Sequence, residues 1–420
     1  MNSLFWNIGP RRFAGALFIF LSIFVLAGCA TYQTKVRGAV HDMRRGNMEP
    51  AVASLKPLAE KEGNDQLAYL FDYATVLQLA GRYDESTKAF LKADKLAEFK
   101  DYHSVTRIAG SLIVNEEMIQ YKGENYEKVL INAYLALNYL LQNNLEDALV
   151  ETRRLNEKMN FMTKDLGEGF RQNPFARYLS AMIWEEDKKW DDAYIDYVKA
   201  YEQDASVSSL KSDLIRTAWL SGNQDALERW QKEYPEIKID PNWKNKKYGE
   251  LVLVYQQGLA PQKLPNPDAQ ILPKLFTRPT LGVSANLIVD GTASVKTEKI
   301  MDVDYIAKRT LNDVYAQIIA KRAAAIATKV VIAEQIRKEN KLLGDVALLT
   351  MLMTERADLR QWSTLPESFQ IARIPLKSGR HRIRIEALDR VGEITGEKWE
   401  SVNIVIKPGR KTFITWRTFI

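Results

Sequence analysis

Five segments in the first half of the chain share one spacing, and it restricts the fold more than any other feature of the sequence. From about Tyr32 to Tyr234 the apolar residues recur every three or four positions, the period of helices with one buried face. The fullest segment is Gly81-Arg-Tyr83-Asp-Glu-Ser86, followed by Phe90 and Ala93 and preceded by Leu70, Ala74 and Leu77. The pattern returns at Leu145-Glu-Asp-Ala148, and at Trp190-Asp-Asp-Ala193 with Tyr197 and Ala200. It returns in shorter form at Gly46-Asn-Met48-Glu-Pro-Ala51 with Leu55 and Leu58, and at Gly222-Asn-Gln-Asp-Ala226. In each, a turn is followed by a helix whose small residues let a partner helix approach. Such hairpins cannot bury their apolar faces alone, so they stack into a curved solenoid, here an irregular one. The spacing therefore predicts a mainly α chain with a helical-repeat domain over 29–240. Its inner groove suits an extended peptide or a partner helix. Of its aromatics, Tyr69, Tyr73, Tyr134, Tyr139, Trp184, Tyr194, Trp219 and Trp230, most are expected in inter-helix packing and a few in the groove.

The N-terminus indicates where the chain is sent. Arg11 and Arg12 precede an uncharged run from Phe13 to Leu26, which ends in Leu26-Ala27-Gly28-Cys29. Basic, apolar and small residues in that order form a secretory signal, too short for the roughly 20 residues of a membrane-spanning helix. The last four residues resemble the lipobox of bacterial lipoproteins, which implies a signal peptide over 1–28 and lipid attachment at Cys29. Cys29 is the only cysteine, so no internal disulfide competes for it. At about 0.8 kcal/mol per buried CH₂, two or three acyl chains hold a protein at a membrane almost permanently. Ala30 is not the aspartate associated with inner-membrane retention. The resemblance therefore implies a periplasm-facing outer-membrane lipoprotein in a Gram-negative host.

Beyond Tyr234 the composition shifts. Pro235, Pro241, Pro261, Pro265, Pro267, Pro273 and Pro279 suggest a Pro-rich linker over 241–280, in which Glu250-Leu-Val-Leu-Val-Tyr255 reads as one buried strand. Lys244-Asn-Lys246-Lys247 reads as a solvated face of it. Residues 281–420 read as an α+β domain. Leu281–Val289 is expected as a strand, and Tyr305 to about Glu339 and Leu342–Met353 as buried helices too charged or too short to span a membrane. The final segment alternates Ile383, Ile385 and Ala387 with Arg382, Arg384 and Glu386. Val402, Ile404 and Ile406 alternate similarly, and Phe413–Phe419 closes the chain, predicting antiparallel strands with one buried face.

The Gly81 unit with its upstream helix resembles a tetratricopeptide repeat, and the other four segments are partial copies. The strand turns Leu376-Lys-Ser-Gly-Arg-His381 and Lys407-Pro-Gly-Arg-Lys411 resemble hairpins of small β-sandwich modules in envelope proteins. The lipobox, the repeats, the terminal strands and the segment Ala357-Asp-Leu-Arg-Gln-Trp-Ser-Thr-Leu-Pro366 together resemble a family of uncharacterised bacterial lipoproteins, in which a threonine and a serine stand where this chain has Leu359 and Gln361. The resemblance implies neighbourhood with lipoproteins that activate cell-wall synthases and no established activity.

The remaining chemistry is sparse. Lys and Arg number 59 against 53 Asp and Glu, a formal net charge of +6 mixed along the chain, so nucleic acid is not indicated as a partner. No phosphate-cradling loop or nucleophile elbow is present. His41, His103 and His381 stand apart from one another and from Cys, so no metal or cofactor site is expected. Glu185-Glu186-Asp187 and Asp191-Asp192 read as acids favouring helix N-termini rather than a glycosidase pair. Asp358, Arg360 and Trp362 have two readings: a partner-binding pocket, with Arg360 pairing a carboxylate and Trp362 supplying area, or a helix end docked on the strands with Asp358 and Arg360 paired internally and Trp362 buried. The expected function is a non-enzymatic, lipid-anchored scaffold binding envelope proteins through the helical-repeat groove, in cell-wall synthesis or envelope assembly. A glycan-binding or glycan-cleaving envelope protein is the alternative.

Overall fold

The structure, a computed structural model, describes residues 31–102, 119–166, 173–353 and 355–420. Cys29, with the whole leader, and His103 lie outside the described residues.

Ten helices form five antiparallel hairpins: α1 (Tyr32–Arg44) with α2 (Met48–Glu60), α3 (Gln66–Leu79) with α4 (Tyr83–Tyr102), α5 (Asn125–Leu141) with α6 (Leu145–Leu166), α7 (Pro174–Glu186) with α8 (Trp190–Gln203), and α9 (Ser208–Ser221) with α10 (Gln224–Glu233). Each segment singled out by its spacing closes one hairpin, and all five turns use the same device. One or two residues past the end of each first helix stands a residue with positive φ: Gly46, Gly81, Asn143, Lys188 and Gly222. Its amide, and that of the residue after it, bond back to the helix. Gly81 N–H donates to Gln78 O and Arg82 N–H to Leu77 O, and Lys188 and Lys189 repeat this with Glu185 and Trp184. This is the left-handed helix stop that glycine adopts most readily. Because asparagine and lysine occupy two of the five positions, the repeat is clearer in backbone than in sequence.

The C-terminal half is a β-sandwich. Strand β1 (Tyr248–Gln257) is followed by the hairpin β2 (Gln262–Asn266) and β3 (Ala269–Phe276), then β4 (Ser284–Val289), β5 (Ala293–Lys296) and β6 (Glu298–Asp302). After two helices, α11 (Val303–Glu339) and α12 (Lys341–Met353), come β7 (Ser368–Lys377), β8 (Gly379–Leu388), β9 (Ile394–Ile406) and β10 (Lys411–Thr418). One sheet has the order β10-β1-β7-β6 and the other β5-β4-β8-β9. Leu251, Leu253 and Tyr255 face Leu287, Ile383 and Ile385 across the sandwich. Val252 and Val254, pointing the other way, join the core of the helical layer with Ile371 and Phe413. Both faces of β1 are thus buried, which explains its unbroken apolar run.

Three expectations need correction here. The span 241–280 is not merely a linker: β1 pairs along its whole length with β7 on one side and β10 on the other, which makes it a central strand. The prolines lie outside it, and Pro265 faces Pro273 in the separate β2–β3 hairpin, where a missing amide is tolerated. Second, β10 runs parallel to β1, so the closing strand is not antiparallel. Third, α11 and α12 are not buried helices. They form a two-helix arm, and of its residues 303–353 few beyond Ala307 are buried.

Candidate functional site

The inner face of the solenoid is built by the first helix of each hairpin, and the chain's own C-terminal half covers it. Residues 355–366, extended between the arm and β7, lie across α1, α3 and α5. Sheet β10-β1-β7-β6 lies across α5, α7 and α9.

The segment is held at every second or third residue. Trp362 is 1% exposed, stacked on Phe71 with ring centroids 4.6 Å apart and tilted against Phe90 and Tyr134 at 5.5 and 5.3 Å. Its indole N–H donates to Thr75 Oγ1 at 2.8 Å and its backbone N–H to Glu127 Oε1 at 2.7 Å. Thr364 donates both its backbone N–H and its hydroxyl to Asp72 Oδ1, each at 2.9 Å. Tyr32 donates to Asp72 and lies 2.6 Å from Gln361 O. Arg360 forms a two-pronged pair with Asp358, Nε–Oδ1 2.9 Å and Nη2–Oδ2 2.7 Å, and donates to Ile119 O at 2.6 Å. The Asp358 carboxyl, pushed up by burial, is pulled further down by Arg360 and ends below the usual range.

The expectation for Asp358, Arg360 and Trp362 is thereby corrected. Their observed contacts are with this chain, so they do not line an open pocket. The internal reading is right about the Asp358–Arg360 pair and the buried Trp362 and wrong about their setting, since the segment is not a helix end and docks on helices rather than strands. The expectation that partners enter through the helical-repeat groove is corrected for the same reason: the groove is filled. Periodicity could not show this, because it identifies a face that must be covered and not what covers it.

Sequence reading missed two carboxyls below the segment. Asp72 and Glu127 are 0% exposed and are satisfied by hydroxyls and amides, Tyr121 and the Glu124 amide completing the shell of Glu127. Burial pushes Asp72 up to about 6, against its hydrogen bonds from Tyr32 and Thr364. Burial, with Glu124 adding repulsion, pushes Glu127 up to about 7. Asp72 had a visible signal, as the only charge in the apolar helix Gln66–Leu79. Because both folded values exceed the unfolded ones, the folded state holds these protons more tightly. Stability from this source is full below about pH 4 and is lost as pH rises through 6 to 7. Glu127→Gln is expected to remove up to about 3 kcal/mol of the fall in unfolding free energy between pH 5 and pH 8. Urea titrations at the two pH values check this; an unchanged fall would refute the assignment.

A second seam joins α7 and α9 to the sheet. Arg373 on β7 bonds Glu250 through Nε and Nη2, each at 2.9 Å, and reaches Glu185 and Asp213 at 2.9 Å and the Tyr197 hydroxyl at 2.9 Å. Arg216 and Lys411 complete the cluster on Glu185 at 2.8 and 3.0 Å. Burial pushes the Glu185 and Glu250 carboxyls up, but Arg216, Lys411 and Arg373 outweigh it and hold both well below the usual range. Glu185 and Glu186 are therefore not helix-start acids, as the sequence suggested. They end α7 and are buried, Glu186 pairing with Arg410 at 2.6 Å.

Two other features stand apart from these seams. A shallow groove of about 400 Å³ on the outer face of the second sheet is lined by Ile288, Asp290, Arg382, Arg384 and Glu400, with His381 Nδ1 2.7 Å from Asp290. It has no aromatic platform of the kind that stacks on sugars. The arm is the larger feature. On α12, Leu342, Leu343, Val346, Leu349, Leu352 and Met353 are exposed, and on α11 so are Ile319, Val330 and Val331. With Tyr305 at its root, the arm thus holds ten of the nineteen large exposed hydrophobics among the described residues, a concentration that single surface residues do not produce.

No protein-family model and no curated protein matches the chain. Among solved structures it is similar to a tetratricopeptide repeat protein from Parabacteroides merdae, 17% identical over 49% of this chain and 67% of that one, TM-score 0.32. A MamA RS-1 double mutant is 16% identical over 50% and 96%, TM-score 0.34. A putative kinesin light chain with nearly identical TPR-like repeats, described as from Podosopora anserina, is 12% identical over 50% and 97%, TM-score 0.32. These likenesses cover about half of the chain and leave its function to be argued from its own side chains.

Proposed function

We propose that the chain is a non-catalytic, lipid-anchored scaffold of the bacterial envelope, attached through acylated Cys29 to the periplasmic face of the outer membrane. The observation that supports this reading best is the filled inner face. Solenoid and sandwich share one core, in which Val252, Ile371, Phe413 and Trp362 pack with Phe71, Tyr134 and Phe175. Side chains suited to catalysis, Glu185, Glu250, Asp72 and Glu127, bond to this chain's own cations, hydroxyls and amides. What the body presents to other molecules is its outer surface, held near a membrane by the acylated Cys29. Envelope proteins engaged in cell-wall synthesis or envelope assembly are the proposed partners, and they meet that outer surface rather than the groove.

Proximity labelling from the anchored protein in cells should enrich a reproducible set of envelope proteins; the absence of any such set would count decisively against the scaffold. For the anchor, Cys29→Ser is expected to abolish incorporation of radiolabelled fatty acid and to leave uncleaved precursor. Lipid persisting on that variant would overturn the attachment site.

A further inference from the structure

The arm is built inside out. Just past the end of α12, at the foot of the arm, Glu355 meets both Arg322, at 2.9 Å, and Lys329, and these three residues are 8%, 4% and 2% exposed. Further along, at the arm's surface, Arg337 pairs with the exposed Asp345 at 2.6 Å. There a Cβ on Gly344 would come within 2.5 Å of the Arg337 Cβ, so the helices touch and no large apolar side chain fits between them. Leu342, Leu343, Val346, Leu349 and Leu352 point outward instead. At 100° per residue, the exposed apolar positions of α12 fan over about half of its circumference. In water this arrangement is backwards. In a low-dielectric surrounding it is the expected one, with the Arg322, Lys329 and Glu355 charges paired within and aliphatic groups without.

The root of the arm lies beside the point where the leader joins the body. Gln33 Nε2 donates to Leu359 O at 2.9 Å, and Met353, the end of α12, is within about 20 Å of chain from Leu359. Cys29 stands four residues before Gln33 and is within a similar length of chain. From Arg322 to its turn at Asn340 the arm reaches about 27 Å. No helix among the described residues is long and apolar enough to cross a membrane, and α12 is about 20 Å long, short of the bilayer core.

We propose that the α11–α12 arm seats its outward apolar face in the interface of a lipid bilayer, making a second membrane contact beside the acylated Cys29. This deepens the anchored-scaffold reading and rests on it for the nearness of a membrane. Two contacts would fix the orientation of the body on the bilayer, where a single flexible tether leaves it free to rotate.

The test uses full-length chains carrying Cys29→Ser with a new thiol at Leu349→Cys, Leu342→Cys or, on the sandwich, Val391→Cys, labelled with an environment-sensitive fluorophore. In these chains the new thiol is the only one, and the uncleaved Phe13–Leu26 run holds the protein on vesicles whether or not Cys29 is a lipid site. Failure of the arm is thus read apart from failure of the anchor, which fatty-acid labelling of the unaltered chain reports. On vesicles of phosphatidylethanolamine and phosphatidylglycerol, the labels at 342 and 349 should shift to the blue and be quenched several-fold by spin-labelled lipid, while the label at 391 stays aqueous. Aqueous emission at 342 and 349 would overturn the proposal. So would a blue shift that ignores the lipid quencher and grows with protein concentration, which would mark a second copy as the occupant.

Discussion

Trp362→Ala is expected to lower the unfolding free energy by about 3–5 kcal/mol, the range for removing a buried large aromatic. The indole fills the space between Phe71, Phe90 and Tyr134, three side chains from successive helices of the solenoid. Its loss opens a cavity that the stacked hairpins cannot close without moving against one another. Trp362→Phe keeps most of the ring contact and loses the bond to Thr75, so it should cost about 1–2 kcal/mol. Equilibrium urea unfolding followed by circular dichroism measures both. A loss below about 1 kcal/mol for the alanine variant would mean the segment is not a structural clamp.

The second large effect is expected at Arg373. Arg373→Met keeps the aliphatic bulk but leaves Glu185, Asp213 and Glu250 sharing only Arg216 and Lys411, and breaking a buried charge cluster on one side costs about 3–5 kcal/mol. The pH dependence carries the signature. With both carboxyls depressed in the folded state, Glu185 and Glu250 contribute stability that is present above the unfolded value of 4.5 and lost as pH falls below it. In Arg373→Met that acid loss should shrink, because the carboxyls rise towards their unfolded values. Denaturant midpoints at pH 7 and pH 3 test it; an acid loss as steep as in the unaltered chain would show that Arg373 does not set these carboxyls.

The two seams act in opposite directions with pH. Asp72 and Glu127 favour mildly acidic conditions, and the Arg373 cluster favours pH above the carboxylate range. The fold should therefore be most stable between those limits.

Much of this was visible in the residues. Ala74, Ala93, Ala148 and Ala193 mark close helix approaches, and all are buried. Leu251–Tyr255 could be recognised as a buried strand from its unbroken apolar run, although its prolines on either side disguised it as part of a linker. The arm was misjudged because Ala-rich and Leu-rich helices are ordinarily covered, and hydropathy does not say by what. Asp358 and Arg360 were recognisable as a pair because a short spacing in an extended chain lets them meet.

The sequence by itself determined most of the elements: five hairpins from a local period, and strands β1, β4, β8, β9 and β10 from apolar runs, alternation and turn residues. Only the tertiary structure decided that residues 355–366 and the sheet fill the solenoid's inner face, that Asp72 and Glu127 lie beneath them, and that the arm turns its leucines outward. Local patterns report which face of an element avoids water. Which partner covers that face depends on contacts between residues hundreds of positions apart, such as Tyr32 with Gln361, and no local period encodes them.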